Sequence, residues 1–160
     1  MSAALVPGIV RECCVALFEA YGHTVAPVEL PDDAPPQICG ILGFTGDLRG
    51  AAILAMTNST VKATSPVEGA PGWIGELVNQ LVGRVKNELL RRGVEIVLST
   101  PVTLRGERLA AVGTDEELPL LFRGETGVIC LWFDFESSPD LVWQAPVEAA
   151  VSSEGDTMFF

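Results

Sequence analysis

Basic residues are scarce in this chain. Ten Lys and Arg stand against twenty-one Asp and Glu, which leaves a net charge of −11 over 160 residues. Binding to nucleic acid needs clustered cations against phosphate, so that class of partner is excluded. The one local basic group, Arg84, Lys86, Arg91 and Arg92, falls toward the end of a helical segment, where cations complement the helix dipole. Histidine occurs once, at His23, and nothing in the sequence supplies it with a partner. Long apolar runs are missing too. Although 48% of the residues are hydrophobic, none of the runs reaches the roughly 20 residues that span a bilayer, so no membrane partner is expected. The N-terminus MSAALVPGIVREC has no basic region ahead of an apolar one and carries Arg11 and Glu12 early, so the expected compartment is the cytoplasm. Metal-ligand spacing is absent as well. Cys13, Cys14, Cys39 and Cys130 form no CxxC and sit inside apolar runs, as buried small hydrophobes do in a reducing compartment. Adjacent residues on a helix diverge by about 100°, which disfavours Cys13 and Cys14 as a redox or metal pair.

The chain has the length of one domain with a real core. Residues 1–147 are read as that domain, and 148–160, small and acidic up to Met158-Phe159-Phe160, as a flexible tail whose last aromatics could serve as a short docking motif. Two parallel rows, Leu5-Ile9-Cys13-Leu17-Tyr21 and Val6-Val10-Cys14-Phe18, predict an N-terminal helix over about 3–21 with a broad apolar face docked on a sheet, stopped by Gly22. The stretch PVELPDDAPPQ reads as an irregular connector. Residues 38–44 and 50–57 predict a hairpin around the turn Thr45-Gly46-Asp47-Leu48-Arg49. Only a turn or so of helix is expected between Asn58 and Gly72. A long helix over about 72–92 follows, ended by Gly93, then strands from Val94 to Leu98 and from Thr100 to Val112, with a turn or bulge at Gly106-Glu107. A second hairpin is formed by LPLLFRG and TGVICLWFDFE, in which Phe122, Ile129, Leu131, Phe133 and Phe135 alternate as one covered face. The fold class is therefore α+β, a mostly antiparallel sheet covered by the two helices.

The long helix is the most informative segment. Ile74, Val78, Leu81, Val82, Val85 and Leu89 collect on one arc, the pattern of a face packed on a core. Glu76 and Asn79 point the other way and, three apart, are surface neighbours. Gly83 lies between them in angle one turn on, at a cost of roughly 1 kcal/mol relative to Ala. A carboxylate, an amide and a bare backbone patch on one water-facing stripe have the makings of a docking surface. An ordinary solvated face with a tolerated glycine accounts for the same residues.

The run Gly75-Glu76-Leu77-Val78-Asn79-Gln80-Leu81-Val82-Gly83 resembles the signature helix of the CheC/CheX/FliY family of chemotaxis phosphatases, Glu-x-x-Asn followed by a small residue one turn on. The order of elements around it, over residues 5–143, is similar to the CheX branch with its single such helix. The resemblance implies a protein phosphatase that hydrolyses the aspartyl phosphate of a CheY-type response regulator. Asn79 would orient the attacking water, Glu76 would clamp the receiver's lysine, and Gly75, Gln80 and Gly83 would line the contact. It also implies that this chain binds no cofactor or metal, since the receiver supplies its own Mg²⁺, and that it pairs as a homodimer through sheet edges. Gly72 stands where the family often has Asp or Ser, and the connector after Asn58 is shorter than usual. Both departures motivate an alternative, a non-catalytic CheX-like adaptor for receivers or flagellar-switch proteins.

Overall fold

Pro7 in the first turn and Gly22 just past the last frame the first helix, α1 (Val6–Ala20), which follows a short 3₁₀ turn at Ala3–Leu5. Proline is tolerated where the helix has no N–H partner to lose. At the other end Gly22 turns left-handed (φ 82°), His23 N–H donates to the Phe18 carbonyl and Gly22 N–H to that of Glu19. This is a Schellman closure. It recurs at the long helix, α3 (Trp73–Leu90), where Gly93 has φ 72°, Val94 N–H donates to Leu89 and Gly93 N–H to Leu90. Both glycines end helices where the sequence predicts.

The computed structural model describes residues 3–30, 34–67, 72–109 and 119–147. The strands among them are β1 (Ala26–Val28), β2 (Ile38–Gly46), β3 (Leu48–Met56), β4 (Ile96–Leu98), β5 (Val102–Arg105), β6 (Leu120–Arg123) and β7 (Val128–Ser137). They form one sheet in the order β1-β6-β7-β3-β2-β4, with β5 also on β2, and every pairing is antiparallel. The outer side of β2 is thus shared: Ile38–Ile41 pair with β5, and Phe44–Gly46 with β4.

Alternation along the strands decides which face the helices cover. Ile38, Leu42 and Phe44, Leu48, Ala52, Leu54 and Met56, and Ile129 and Leu131 all belong to the core beneath α3 and α1. Phe133 and Phe135 extend that row half-buried, Phe133 stacking on Phe44 at 5.1 Å between centroids. The opposite face carries a smaller cluster of Cys39, Ala55, Leu121, Val128 and Cys130. The α+β class with an antiparallel, helix-covered sheet is as the sequence predicts, and no helix among the described residues is long and apolar enough to cross a membrane.

Four local expectations are corrected. The first helix packs chiefly on α3 instead of directly on the sheet, because α3 already occupies the ground above β2. The Pro-rich connector contains a strand, β1, recruited by β6 through the register Ala26↔Arg123 to Val28↔Leu121. The five-residue turn shrinks to Asp47 alone, since Asp47 N–H donates to the Glu95 carbonyl (2.9 Å) and its carboxylate accepts the Glu95 N–H (2.8 Å), tying the turn to the entry of β4. Between Asn58 and Gly72 a full α2 (Asn58–Thr64) forms, capped by Thr57, whose hydroxyl accepts the Thr60 N–H. Of the strand expected over Thr100–Val112, residues 110–112 lie outside the described residues, as does the tail from 148 onward.

The layers meet closely at Gly40 of β2, where a β-carbon would stand 2.7 Å from the Ile74 carbonyl oxygen of α3. A methyl group there would lift the helix off the sheet. Gly40→Ala is expected to cost roughly 1–3 kcal/mol, the range for overpacking, and to lower Tm by about 2–4 °C per kcal/mol at this chain length, as a calorimetric scan would show.

All four cysteines are buried and free. Burial pushes the Cys13 thiol up from 9.0 to about 12, with the Glu88 carboxylate adding to the shift. Cys14, Cys39 and Cys130 move in the same direction for the same chief reason. Such thiols are protonated and unreactive at neutral pH. In the unfolded chain these thiols ionise near 9.0, so their contribution is whole below that pH and is lost as pH rises through the raised folded values, about 12 for Cys13. Native protein at pH 8 should therefore resist iodoacetamide, urea-unfolded protein should take up four equivalents, and Tm should fall on titration above pH 9.

Candidate functional site

The site candidates all lie on α3, so the walls around that helix decide what each can do. Beneath it is the sheet, against which Ile74, Leu77, Val78, Leu81, Val82, Val85 and Leu89 are wholly buried. On one side stands α1, whose C-cap residue Tyr21 meets Trp73 edge-on at 5.0 Å, while the Trp73 indole N–H donates to Thr64 Oγ1 (3.4 Å). On the other side lies β5, where the position of a Gly75 β-carbon is 3.2 Å from Thr103 Oγ1 and 3.9 Å from Pro101 Cβ.

These walls correct the expectation of a water-facing stripe. Eleven of the eighteen residues of α3 are buried, and none of the other seven is fully exposed. Asn79 is only 2% exposed. Gly75 and Asn79 are one turn apart and share the flank that leans toward β5, so the close approach that Gly75 permits is made by the chain's own Thr103 and Pro101. Gly83 is buried as well. A wheel drawn on the helix alone treats everything opposite the core as wet, and here the lateral neighbours rise high enough to cover two of its flanks.

Glu76 keeps partial access to solvent. It sits in the first turn of α3, where a carboxylate is favoured by the helix dipole and the unpaired N–H groups. This matters because Gly72, the N-cap with φ 80°, offers no side-chain cap. The carboxylate is held in place: Gln80 Nε2 donates to Glu76 Oε1 at 3.0 Å, and the Tyr21 hydroxyl donates to Gln80 Oε1 at 2.7 Å. Gln80, expected as a partner contact, thus spends its amide inside the chain. Tyr21 was missed by the sequence reading, and no local signal could have found it, since it lies 59 residues from Gln80.

Asn79 presents the opposite case. Its Nδ2 is buried and makes no hydrogen bond to the described residues. An amide donor left without a partner costs about 1–3 kcal/mol, so this group is either a liability or is held for something absent from the folded monomer. Further along the same flank, burial lowers the pKa of Lys86, while the Glu95 carboxylate works against that shift. Among the described residues no group of three or more His, Cys, Asp or Glu side chains could hold a metal ion. What the arrangement offers is a fixed, half-buried carboxylate and, one turn away, a buried amide N–H that meets no acceptor among the described residues.

Comparison with known proteins places the fold. The fold matches the crystal structure of the chemotaxis protein CheX from Vibrio vulnificus with a TM-score of 0.71 at 17% identity, over 85% of this chain and 99% of that one. It matches a putative chemotaxis protein from Desulfovibrio vulgaris Hildenborough with a TM-score of 0.68 at 18% identity, over 82% and 96%. The CheX–CheY–BeF₃–Mg²⁺ complex from Borrelia burgdorferi is more distant, with a TM-score of 0.55 at 14% identity over 75% and 93%. No curated protein matches the sequence. Identities this low establish the fold alone, but the sequence model for the chemotaxis phosphatase CheX matches residues 38–122, more than half of the chain and the whole of β2 through α3. The chain belongs to the CheX family of chemotaxis phosphatases.

Proposed function

We propose that this protein hydrolyses the aspartyl phosphate of a CheY-type response regulator, with Asn79 placing the attacking water and Glu76 pairing with a receiver lysine. The observation that carries the reading is the Nδ2 of Asn79, buried and without a hydrogen bond to the described residues, in the Glu-x-x-Asn run that resembles the family's signature. Buried donors are normally satisfied, and one left open beside a fixed carboxylate has spare capacity for a ligand. An acyl phosphate is reactive already, and in-line attack by water yields aspartate and inorganic phosphate, so the helper contributes placement more than chemistry. An amide suits that task because it donates and accepts at once. Mg²⁺ bound in the receiver would neutralise phosphoryl charge, and this chain adds no cofactor. The Borrelia complex, which pairs a CheX with a CheY, supports a receiver as the partner class.

Burial of Asn79 sets a condition on the mechanism. Its side chain has to leave the flank it shares with Gly75 and swing toward the ridge at Glu76, a change between staggered rotamers on the same backbone. The same burial favours a second reading, an adaptor that binds receivers through the Glu76 ridge and never uncovers the amide.

The two readings part in one assay, phosphate loss from a phosphorylated receiver across a panel of such domains. Wild-type protein should shorten the phosphate lifetime. Asn79→Ala should remove about 100-fold of the acceleration, the scale for losing one preplaced polar group, while binding stays within threefold. Binding with an unchanged lifetime establishes the adaptor, and no binding to any receiver ends both readings. The proposal includes a homodimer. Pro27 blunts the β1 edge of the sheet, whereas β5 is exposed along its length, with Val102 and Leu104 about half exposed, and offers an edge to a second copy. Light scattering should give twice the chain mass, and a monomer at high concentration would exclude pairing.

A further inference from the structure

The contact from Tyr21 through Gln80 to Glu76 joins two helices by a directed chain of donors, and its direction is set by chemistry. The Tyr21 ring is fixed edge-on against Trp73 (5.0 Å, 87° between planes), and Trp73 is in turn anchored through Thr64. Its hydroxyl therefore meets Gln80 at a defined point, 2.7 Å from Oε1. With Oε1 accepting there, Nε2 must face Glu76, and it donates to Oε1 of that residue at 3.0 Å. The reversed amide would set a carbonyl against a carboxylate, so one orientation of Gln80 is selected. Donation along such a chain polarises each successive bond. All three residues are half-buried, which shields the chain from competing water while leaving Glu76 reachable.

The geometry points to Tyr21 and Gln80 as positioning residues that preset the Glu76 carboxylate for a cationic group on the docked partner, an inference that rests on α3 being the receiver-docking helix. A glutamate free on a helix surface would have to give up its rotamers on binding, and one tied to Gln80 has already done so. Gln80 is then no partner contact; it acts through Glu76.

The test measures affinity for a receiver activated with beryllofluoride and Mg²⁺, together with KM and kcat for phosphate release. Gln80→Met keeps the length of the side chain and loses the donor; Tyr21→Phe keeps the Trp73 contact and loses the hydroxyl, so folding is preserved in at least the second. The expected result is binding about tenfold weaker for Gln80→Met and about threefold weaker for Tyr21→Phe, with the loss falling on KM instead of kcat. In a Glu76→Ala background neither change should weaken binding further. Equal losses with and without Glu76 would overturn the inference, because Gln80 would then touch the partner itself or serve only the fold. Should the wild type bind no receiver, the docking reading has failed and the positioning claim is decided on the free protein. NMR order parameters of the Glu76 side-chain methylenes should fall in Gln80→Met and Tyr21→Phe, and unchanged values would overturn it.

Discussion

The seating of α3 on β2 at Gly40 is the constraint from which the rest of the structure follows. A helix carbonyl 2.7 Å from where a β-carbon would project leaves no room for a side chain between helix and sheet at this point. At that depth the apolar stripe from Ile74 to Leu89 is wholly buried. The flanks of the helix also sink between their neighbours, α1 on the side of Trp73 and β5 on the side of Gly75. A helix riding higher, on a side chain at position 40, would expose both flanks and lose its contact with Thr103.

Two polar groups on this seated helix have opposite fates. Glu76 emerges at the ridge and is held by an amide that is itself held by a tyrosine. Asn79, three residues on, goes down with the flank, and its Nδ2 donor finds no acceptor among the described residues. The fold thus prepares the carboxylate and conceals the carboxamide. On the proposed reading, in which Asn79 places the attacking water, docking of the partner would have to supply the energy of the rotamer change that uncovers the amide.

Much of the architecture was legible in the residues because its signals are local. Gly22 and Gly93 end helices through left-handed closures, which few other residues adopt at low cost. The alternation through Phe122, Ile129 and Leu131 marks the covered face of the sheet, and cysteines set within apolar runs are buried. The Glu-x-x-Asn run was legible as a motif on a helix, and the family it was read to resemble agrees with the family match over residues 38–122. Less legible were the short strand β1, which exists because β6 offers it a ladder, and the reduction of the hairpin turn to Asp47, which depends on Glu95 nearly fifty residues away.

By itself, then, the sequence determined the secondary structure of the long elements, the apolar face of each and the placement of Glu76 and Asn79 one turn apart on one helix. Tertiary structure alone decided which of those two would meet solvent. Periodicity reports the angle of a side chain about its own helix axis, and that angle is intrinsic. Exposure depends on the height of whatever stands beside the helix, and β5 and α1 are brought there by pairings and packing that leave no mark in residues 73–90.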